Sequence, residues 1–338
     1  MRRAAAVLLC LLAPVSALSG VLRVPESHET IQAAVDAAGP GDTVLVAPGT
    51  YVENVAIKMK DGLALIGEEG WEKTVIDGDS KNSVVYADSN SGTLVFSGLT
   101  LKAGDAKLNG GGLAVRKTAT VVRGCRFVGN RAYNSGGGLN LLNCPNNTVE
   151  DCLFEQNECK DEASAVSIIG GRGTIAGNTI RENTGAIAVV LIQSGCVVRN
   201  NLIVRNLCTD FGAIALQFAL NTVMEENTIA YNSGMEGMGA VLAQFGDLRI
   251  ERNIVCGNKG VSGIQVETTD MLIRLAENNV WENDGGPYIG AEPSPGDLAA
   301  DPMFCDAEEN DFRLRSGSPC LPTTDRPRKI GALGQGCP

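Results

Sequence analysis

Seven asparagines recur at nearly equal intervals through the middle of this 338-residue chain. The intervals between consecutive members are 23 to 27 residues long. The seven are Asn130, Asn157, Asn183, Asn206, Asn232, Asn258 and Asn283. A repeat of this length that carries short apolar segments is typical of a solenoid, in which each repeat forms one coil and contacts only its neighbours. The spacing therefore predicts an elongated stack of coils.

The residues around each asparagine also repeat. An apolar side chain stands three residues earlier, from Phe127 in the first repeat to Val280 in the last. After the asparagine, a pair of small residues leads into an alternating strand, as in residues 137–141 and 212–216. Each repeat thus contains three short strands, and no segment between them is long and periodic enough for a helix. The sequence predicts an all-β fold, a right-handed three-stranded parallel β-helix.

A second column stands five residues before the seven asparagines. Its members are Cys125, Cys152, Asn178, Asn201, Asn227, Asn253 and Asn278. Because stacked strands lie about 4.8 Å apart, an inward asparagine can bond its amide to the asparagines of the coils above and below. Both asparagine columns are therefore interpreted as parts of the scaffold.

The two ends of the chain carry segments that recur in one group of proteins. The opening segment covers residues 29–38 and 41–51, and the closing segment covers residues 301–305, 311–314, 317–320 and 330–333. With these ends, the chain resembles the pectin-lyase-like superfamily, and within it the secreted right-handed β-helix repeat proteins of bacteria. The resemblance implies the fold but leaves the function open, because this fold carries lyases, hydrolases, epimerases and adhesins.

The start of the chain predicts export. Arg2 and Arg3, an apolar run and a small-residue site at residues 15–17 are typical of a signal peptide over residues 1–17. The run is much shorter than the about 20 residues that a membrane span needs. We therefore expect a secreted, periplasmic or extracellular protein with no membrane span after cleavage.

The mature chain is predicted to have three parts. Residues 18–45 form an N-terminal strand and a short capping helix, because apolar residues at positions 31, 34, 35 and 38 share one helical face. Residues 46–300 form the β-helix, and residues 301–338 form a C-terminal capping segment. Covered ends favour a monomer, since they protect the open strand edges of a solenoid.

Charge excludes one class of partner. The formal net charge is −11, and removal of Arg2 and Arg3 leaves 28 minus 2, or 26, basic residues against 39 acidic ones. Such an acidic chain is not expected to bind nucleic acid, whose phosphates are met by lysine and arginine.

Ten of the eleven cysteines lie after the signal peptide, so they are expected to reach an oxidising compartment, where disulfides can form. Cys305 and Cys320 are the predicted disulfide, with Cys337 as a competing partner for either. Cys125 and Cys152 occupy one column on adjacent coils, where they are either bridged or simply small buried side chains. No cysteine or histidine pair has zinc-ligand spacing, so no structural metal is predicted.

The strand that begins each coil usually lines the substrate groove in enzymes of this superfamily. Its outward residues are predicted to be Ala114 and Arg116, Asn140 and Leu142, Ser167 and Ile169, Ala188 and Val190, Ala215 and Gln217, Leu242 and Gln244, and Gln265 and Glu267. A lyase needs a basic residue and acids for Ca²⁺, and a hydrolase needs carboxylates about 5 to 9.5 Å apart. This column offers neither set, and the only histidine, His28, precedes the capping helix.

Charged and aromatic residues gather instead in the loops after the seven asparagines. The candidate ligand-binding residues are Tyr133, Lys160, Asp161, Glu162, Asp210 and Glu236. They form either a solvated loop edge or a pocket for a sugar or Ca²⁺, with Tyr133 and Phe211 as stacking surfaces; no other cofactor is expected. Two functions follow: a noncatalytic β-helix that binds polysaccharide, cell-surface glycan or protein, or serves as a surface structure, and a polysaccharide lyase, glycoside hydrolase or epimerase with its site in these loops.

Overall fold

The computed structural model describes residues 19–267 and 272–338, so the predicted signal peptide lies outside the described residues. Within them, three long columns of parallel strands wind into a right-handed solenoid, and one short helix covers its first coil. The predicted three-stranded β-helix with an N-terminal capping helix is confirmed.

Each coil contributes one strand to each of three faces. The first face, here the groove sheet, contains Val55–Lys58, Val85–Asp88, Leu113–Arg116, Ile214–Gln217, Gly239–Gln244, Ser262–Glu267 and Tyr288–Ile289. The second sheet contains Val21–Val24, Thr43–Val46, Ala64–Gly67, Thr93–Ser97, Ala119–Arg123, Leu220–Glu225, Asp247–Glu251 and Ile273–Ala276. Three long strands run through the corner between these faces and belong to both: Leu139–Glu150, Ala163–Ala176 and Ile187–Arg199.

The third sheet has ten strands: Gly49–Val52, Thr74–Asp77, Thr100–Lys102, Arg126–Val128, Leu153–Glu155, Thr179–Arg181, Leu202–Val204, Thr228–Ala230, Ile254–Cys256 and Asn279–Trp281. A short sheet of five two-residue strands follows it: Asp105–Ala106, Arg131–Ala132, Glu158–Cys159, Thr184–Gly185 and Leu207–Cys208. The short sheet leads each coil towards the groove sheet, so its outer face forms one flank of the groove.

The two asparagine columns form the predicted ladders inside the solenoid. In the five-asparagine ladder, Asn201 donates from Nδ2 to Asn227 Oδ1 at 2.9 Å and to the Ile175 carbonyl at 2.8 Å. Its own Oδ1 accepts from the backbone N–H and Nδ2 of Asn178. Asn130 to Asn283 repeat the pattern in the seven-asparagine ladder, with amide distances of 2.8 to 3.1 Å. These ladders pair polar groups that burial would otherwise leave unsatisfied.

The helix Ile31–Ala37 begins at Thr30, whose side chain accepts the Ala33 N–H. The Glu53 carboxylate accepts the N–H groups of Ile31 and Gln32 at 2.9 and 3.0 Å, which satisfies two more donors of the first turn. The apolar face predicted from the sequence is buried against the first strands. The helix therefore shields the apolar interior at this end.

Residues 301–338, the predicted capping segment, pack along the side of the solenoid. The strands Phe304–Asp306, Asp311–Arg315 and Gln335–Cys337 form a separate small sheet. Its apolar residues cover the outward side chains Val204, Ala230 and Ile254 of the third sheet. The last coil is contacted by Leu298, which precedes the capping segment. The Leu298 N–H donates to the Asn278 carbonyl at 2.7 Å.

The disulfide of the described chain joins Cys305 to Cys337, with 6.0 Å between their Cα atoms. The predicted Cys305–Cys320 bridge is therefore wrong in its second partner. Cys320 is a free buried thiol packed with Ile254 and Cys256, so its side chain belongs to the apolar contact between tail and solenoid. Cys125 and Cys152 are also free and buried, in agreement with their reading as small apolar side chains.

One outward assignment on the groove strand is also wrong. Ala188 is fully buried in the main core, whereas Val190 pairs with Ser167 and with Ala215 and takes the outward place. The register shifts between Ala163 and Val166, because this coil is shorter than its neighbour. A slip of this size moves a side chain to the opposite face of a strand.

Glu155 joins three coils through ion pairs that should make stability depend on pH. Its side chain is 5% exposed and accepts from Arg126 Nε and from a terminal nitrogen of Arg181, both at 2.7 Å. Burial acts to raise the pKa of Glu155, but the hydrogen bonds and charges of Arg181 and Arg126 outweigh it and hold the pKa below its ordinary value. A lowered carboxyl pKa stabilises the fold above the ordinary value of about 4.3, and this stabilisation is lost as the pH falls through the folded-state pKa.

We therefore expect Glu155→Gln to lower the free energy of unfolding by about 1 to 3 kcal/mol at neutral pH, and by much less in strongly acidic buffer. Denaturant titrations at both pH values measure the difference. Glu158→Gln is the matched control, because Glu158 is 53% exposed and pairs with an exposed Arg131. If Glu155→Gln lowered the free energy of unfolding equally at both pH values, the electrostatic explanation would be contradicted.

Candidate functional site

The outer face of the groove sheet carries no catalytic set over its middle coils. With the corrected register, its outward column runs Ala114, Asn140, Ser167, Val190, Ala215, Leu242 and Gln265. Phe211 and Met238 from the flanking loops pack against Val190, Ala215 and Leu242, which are nearly inaccessible. Loop side chains therefore cover this stretch.

A polar cluster on the first coils of the same sheet escaped the sequence analysis, which started its column at Ala114. Tyr86 donates its hydroxyl to Asp88 at 3.0 Å, and Arg116 lies 3.8 Å from the same carboxylate. Lys58 lies 5.8 Å from the centre of the Tyr86 ring. Desolvation acts to raise the pKa of Asp88, but the bonds from Tyr86 and Ser89 and the charge of Arg116 hold it below its ordinary value. Asp88 is therefore a fixed, ionised group.

Two of the six candidate residues, Tyr133 and Lys160, lie together in a cleft on the short sheet. The Tyr133 cleft has a volume of about 460 Å³. It is lined by Asp105, Ala106, Lys107, Arg131, Ala132, Tyr133, Glu158 and Lys160. Its floor consists of the small side chains Ala106 and Ala132, which pack with Cys159. Because these floor residues are small, the longer side chains on both sides of them form walls.

The walls of the Tyr133 cleft carry an ordered pattern of charge. Lys160 Nζ donates to the Tyr133 hydroxyl at 3.0 Å and lies 4.3 Å from the centre of its ring. This hydrogen bond raises the pKa of Lys160, so the ammonium stays charged. On the opposite wall, Arg131 donates to Glu158 at 2.7 Å, which neutralises that carboxylate. Lys107 forms no salt bridge with any residue of the described chain.

A second cavity of about 360 Å³ continues the Tyr133 cleft towards the start of the solenoid. The two cavities share Ala106 and Lys107, and the second one reaches Tyr86 and the amides of Asn54, Asn82 and Asn109. Tyr86 and Tyr133 thus lie at opposite ends of one continuous groove, with Lys107 between them. The sequence contained this signal, since Lys107, Tyr133 and Lys160 follow the short-sheet strands of three consecutive coils.

The acidic candidates do not join this groove. Asp161 and Glu162 line a separate cavity of about 400 Å³ with Asn134, Phe211 and Gln217. Asp210 and Glu236 are exposed on later coils and line neither cavity. The six candidate residues, predicted to form either a solvated loop edge or a pocket, are divided among two cavities and an exposed edge.

A sequence profile described as "Periplasmic copper-binding protein (NosD)" matches residues 72–291, which is more than half of the chain. The chain belongs to the NosD family. The family is described as periplasmic, in agreement with the predicted secreted or periplasmic location. No curated protein matches this NosD-family chain significantly. Among the described residues, no helix has the length and apolar character of a membrane span.

Solved structures show the fold of this NosD-family chain. Pectate lyase Pel9A superimposes with a TM-score of 0.65 and 14% identity, over 94% of this chain and 97% of the lyase. The alginate lyase AlyGC gives a TM-score of 0.41 at 11% identity, over 93% of this chain and 57% of that one. The mannuronan C-5 epimerase AlgE6 A-module of Azotobacter vinelandii gives 0.39 at 16% identity, over 80% and 94%. At these identities, the pectate lyase likeness establishes the β-helix and no activity.

The family description names copper, but the described residues show no cluster of histidine, cysteine and carboxylate ligands that would hold it. Copper sites use thiolate, thioether and imidazole ligands. Within residues 19–267 and 272–338, no three histidine, cysteine, aspartate or glutamate side chains converge as a metal site. The imidazole of His28 lies 3.1 Å from the Ser27 hydroxyl, outside the coils of the solenoid. Burial raises the pKa of Cys196 to about 11 and that of Cys208 to about 12, which keeps these thiols protonated.

Proposed function

We propose that this NosD-family protein binds an acidic glycan in the groove between Tyr86 and Tyr133 and does not cleave it. The observation that carries the proposal is the succession Lys107, Tyr133 and Lys160 along one wall of that groove. These residues place two ammonium groups and a phenol on consecutive coils of an otherwise acidic chain.

The coil spacing suits a polymer of charged sugars. Side chains at equivalent positions recur about every 4.8 Å along the solenoid, close to the length of one sugar ring. Lys107 and Lys160 can each meet a sugar carboxylate, while the Tyr133 hydroxyl and the Asn109 amide can bond to sugar hydroxyls. The apolar edge of the Tyr133 ring, which is 47% exposed, offers a surface for the C–H face of a sugar.

The same groove gives little support to catalysis. Of the two carboxylates that line the Tyr133 cleft, Glu158 is paired with Arg131, which leaves Asp105 as the one lining carboxylate without an ion pair among the described residues. A single free carboxylate does not supply the acid and base pair that glycoside hydrolysis uses. Lys160 is held charged by Tyr133, so it is a poor base at neutral pH. These contacts favour binding over turnover.

Binding is tested by calorimetric titration of trigalacturonate and of its methyl ester into the mature protein. We expect the acid to bind and Tyr133→Ala and Lys160→Gln each to raise the Kd about tenfold, since a charged hydrogen bond contributes about 1.5 to 3 kcal/mol. Lys259→Gln is the control, because Lys259 is an exposed lysine on a distant coil. Unchanged affinity in both cleft variants would contradict the proposed site.

Two further arms separate the alternatives. A double variant, Asp161→Ala with Glu162→Ala, should leave the affinity unchanged with and without Ca²⁺; a Ca²⁺-dependent loss would move the site to the acidic cavity. The enzyme alternative predicts ultraviolet absorbance from unsaturated products, or new reducing ends, when polygalacturonate is incubated with the wild-type protein. We expect neither signal, and robust turnover would overturn the noncatalytic function.

A further inference from the structure

We propose that the corner between the groove sheet and the second sheet holds a second binding site, which takes an acidic sugar between Arg172 and Phe218. This Phe218 cleft is lined by Arg172, Gln193, Phe218, Leu220, Asn221 and Phe245, above a backbone floor. Its volume of about 760 Å³ exceeds the about 460 Å³ of the Tyr133 cleft, and the two share no residue. The proposal therefore does not depend on the first site.

Two aromatic side chains, Phe218 and Phe245, line the cleft and contact each other. The rings of Phe218 and Phe245 stack with centroids 5.3 Å apart and planes 23° apart, and Phe218 is 52% exposed. Phe218 therefore buries little apolar surface within the fold. The exposed Phe218 ring and the half-buried Phe245 ring, stacked on adjacent coils, form an apolar surface against which the C–H face of a sugar ring can pack.

Phe218 and Phe245 occupy a backbone conformation that is unusual for aromatic residues. Both have positive φ, 51° for Phe218 and 50° for Phe245. Equivalent corners of the three preceding coils carry Asn143, Gly170 and Gln193, also with positive φ. Glycine and asparagine suit this left-handed conformation and bulky aromatic residues do not. The chain therefore places two phenylalanines against the local preference, which points to a role for the exposed rings.

Arg172 supplies the charge preference. It is exposed at the edge of the cleft and forms no salt bridge with any residue in the described part of the chain, although the chain has a net charge of −11. A guanidinium binds a carboxylate through two parallel hydrogen bonds. The exposed amides of Gln193 and Asn221 offer donors and acceptors for sugar hydroxyls. Together with the rings, these groups match a uronic acid.

The floor of the Phe218 cleft contains two glycines, Gly171 and Gly195. Gly171 has φ +102°, and a Cβ at this position would lie 1.8 Å from the Cys144 carbonyl oxygen. At Gly195, a Cβ would lie 2.9 Å from the Leu220 carbonyl oxygen. Larger residues are thus excluded by contact with the neighbouring coils. Glycine at these two positions lets adjacent coils approach closely, so backbone atoms form the floor of the cleft.

The test is the stoichiometry of trigalacturonate binding to the mature protein and to three variants. We expect two equivalents that bind with wild-type affinity in the wild type, and one such equivalent each in Phe218→Asn and Tyr133→Ala. Arg172→Gln should raise the Kd of one equivalent about tenfold for the acid and leave the methyl ester unaffected. Because asparagine suits the left-handed corner, Phe218→Asn should melt at the wild-type temperature or above it.

Every outcome decides between the two sites. If Phe218→Asn still binds two equivalents, the second site is wrong, and a lowered melting temperature would show that the aromatic pair serves stability. If the wild type binds one equivalent that only Tyr133→Ala removes, the Phe218 cleft is again excluded and the proposed function stands. If only Phe218→Asn removes it, this cleft is supported and the Tyr133 site fails. Absence of binding overturns both.

Discussion

Asn201→Leu should destabilise the solenoid by several kcal/mol, because it breaks the five-asparagine ladder near its centre. The Asn201 side chain accepts from the Asn178 backbone N–H at 3.0 Å and from Asn178 Nδ2 at 2.9 Å, and it donates to Asn227. Leucine would leave two buried donors of Asn178 unpaired, and each unsatisfied group costs about 1 to 3 kcal/mol. A lower midpoint of chemical denaturation measures the loss.

Asn82→Leu is the matched control, since Asn82 is exposed and belongs to neither ladder. It should shift the midpoint by no more than a typical surface substitution, about 0.5 kcal/mol. Similar losses at Asn82 and Asn201 would mean that the ladder contributes no more than an ordinary surface amide. Hydrogen exchange should show faster exchange near residues 175–227 in the Asn201 variant, because a solenoid is stabilised mainly by contacts between neighbouring coils.

The scaffold could be predicted from the sequence because stacking gives each inward column one physical solution. The side-chain amide of Asn206 bonds to the asparagines of the coils before and after it, so the same residue recurs at the coil period. Apolar columns obey the same rule: Phe127 and Phe154 stack with centroids 4.6 Å apart. A periodic requirement leaves a periodic signal in the sequence.

The arrangement of the outer surface was harder to predict from the sequence than that of the interior. Ala188 and Val190 are both small and apolar, so composition could not reveal the register shift that separates core from surface. Cys320 was the predicted partner of Cys305 and Cys337 its competitor, and the choice between them depends on the path of the tail. The six loop candidates all follow the ladder, yet even neighbours in one loop, such as Lys160 and Asp161, line different cavities. Such choices depend on loop paths that have no repeat.

The corners show where local preference and position disagree. Polar residues or glycine occupy most positions with positive φ, as at Asn143, Asn200 and Gly177. Phe218, Phe245 and Tyr231 are the aromatic exceptions among the described residues with positive φ. Tyr231 packs on the tail ring Phe312 at 6.0 Å, so its place is explained by a contact within the chain. Among the described residues, the ring contact of Phe218 and Phe245 is with each other, which is why the corner they occupy is proposed as a site and that of Tyr231 is not.

Phe312→Ala should release the C-terminal tail from the side of the solenoid. Phe312 is 1% exposed, packs edge-on against Phe304 at 5.2 Å and belongs to the cluster that covers Val204, Ala230 and Ile254. Truncating a buried phenylalanine costs about 3 to 5 kcal/mol. The Cys305–Cys337 disulfide closes within the tail, so it cannot hold the tail to the solenoid. Limited trypsin digestion should then cut first at Arg313, Arg328 or Lys329.

The released tail should leave the rest of the solenoid largely folded, since the coils keep their ladders and their apolar interior. Phe218→Asn is the control, because it removes a phenylalanine of the same size from an exposed position and should leave tail cleavage at the wild-type rate. Lys329 bonds to Asn200 and lies near Glu226, so polar contacts oppose release. Wild-type resistance of the tail in Phe312→Ala would show that these polar contacts suffice. Loss of the whole fold would show that the tail and coils unfold as one unit.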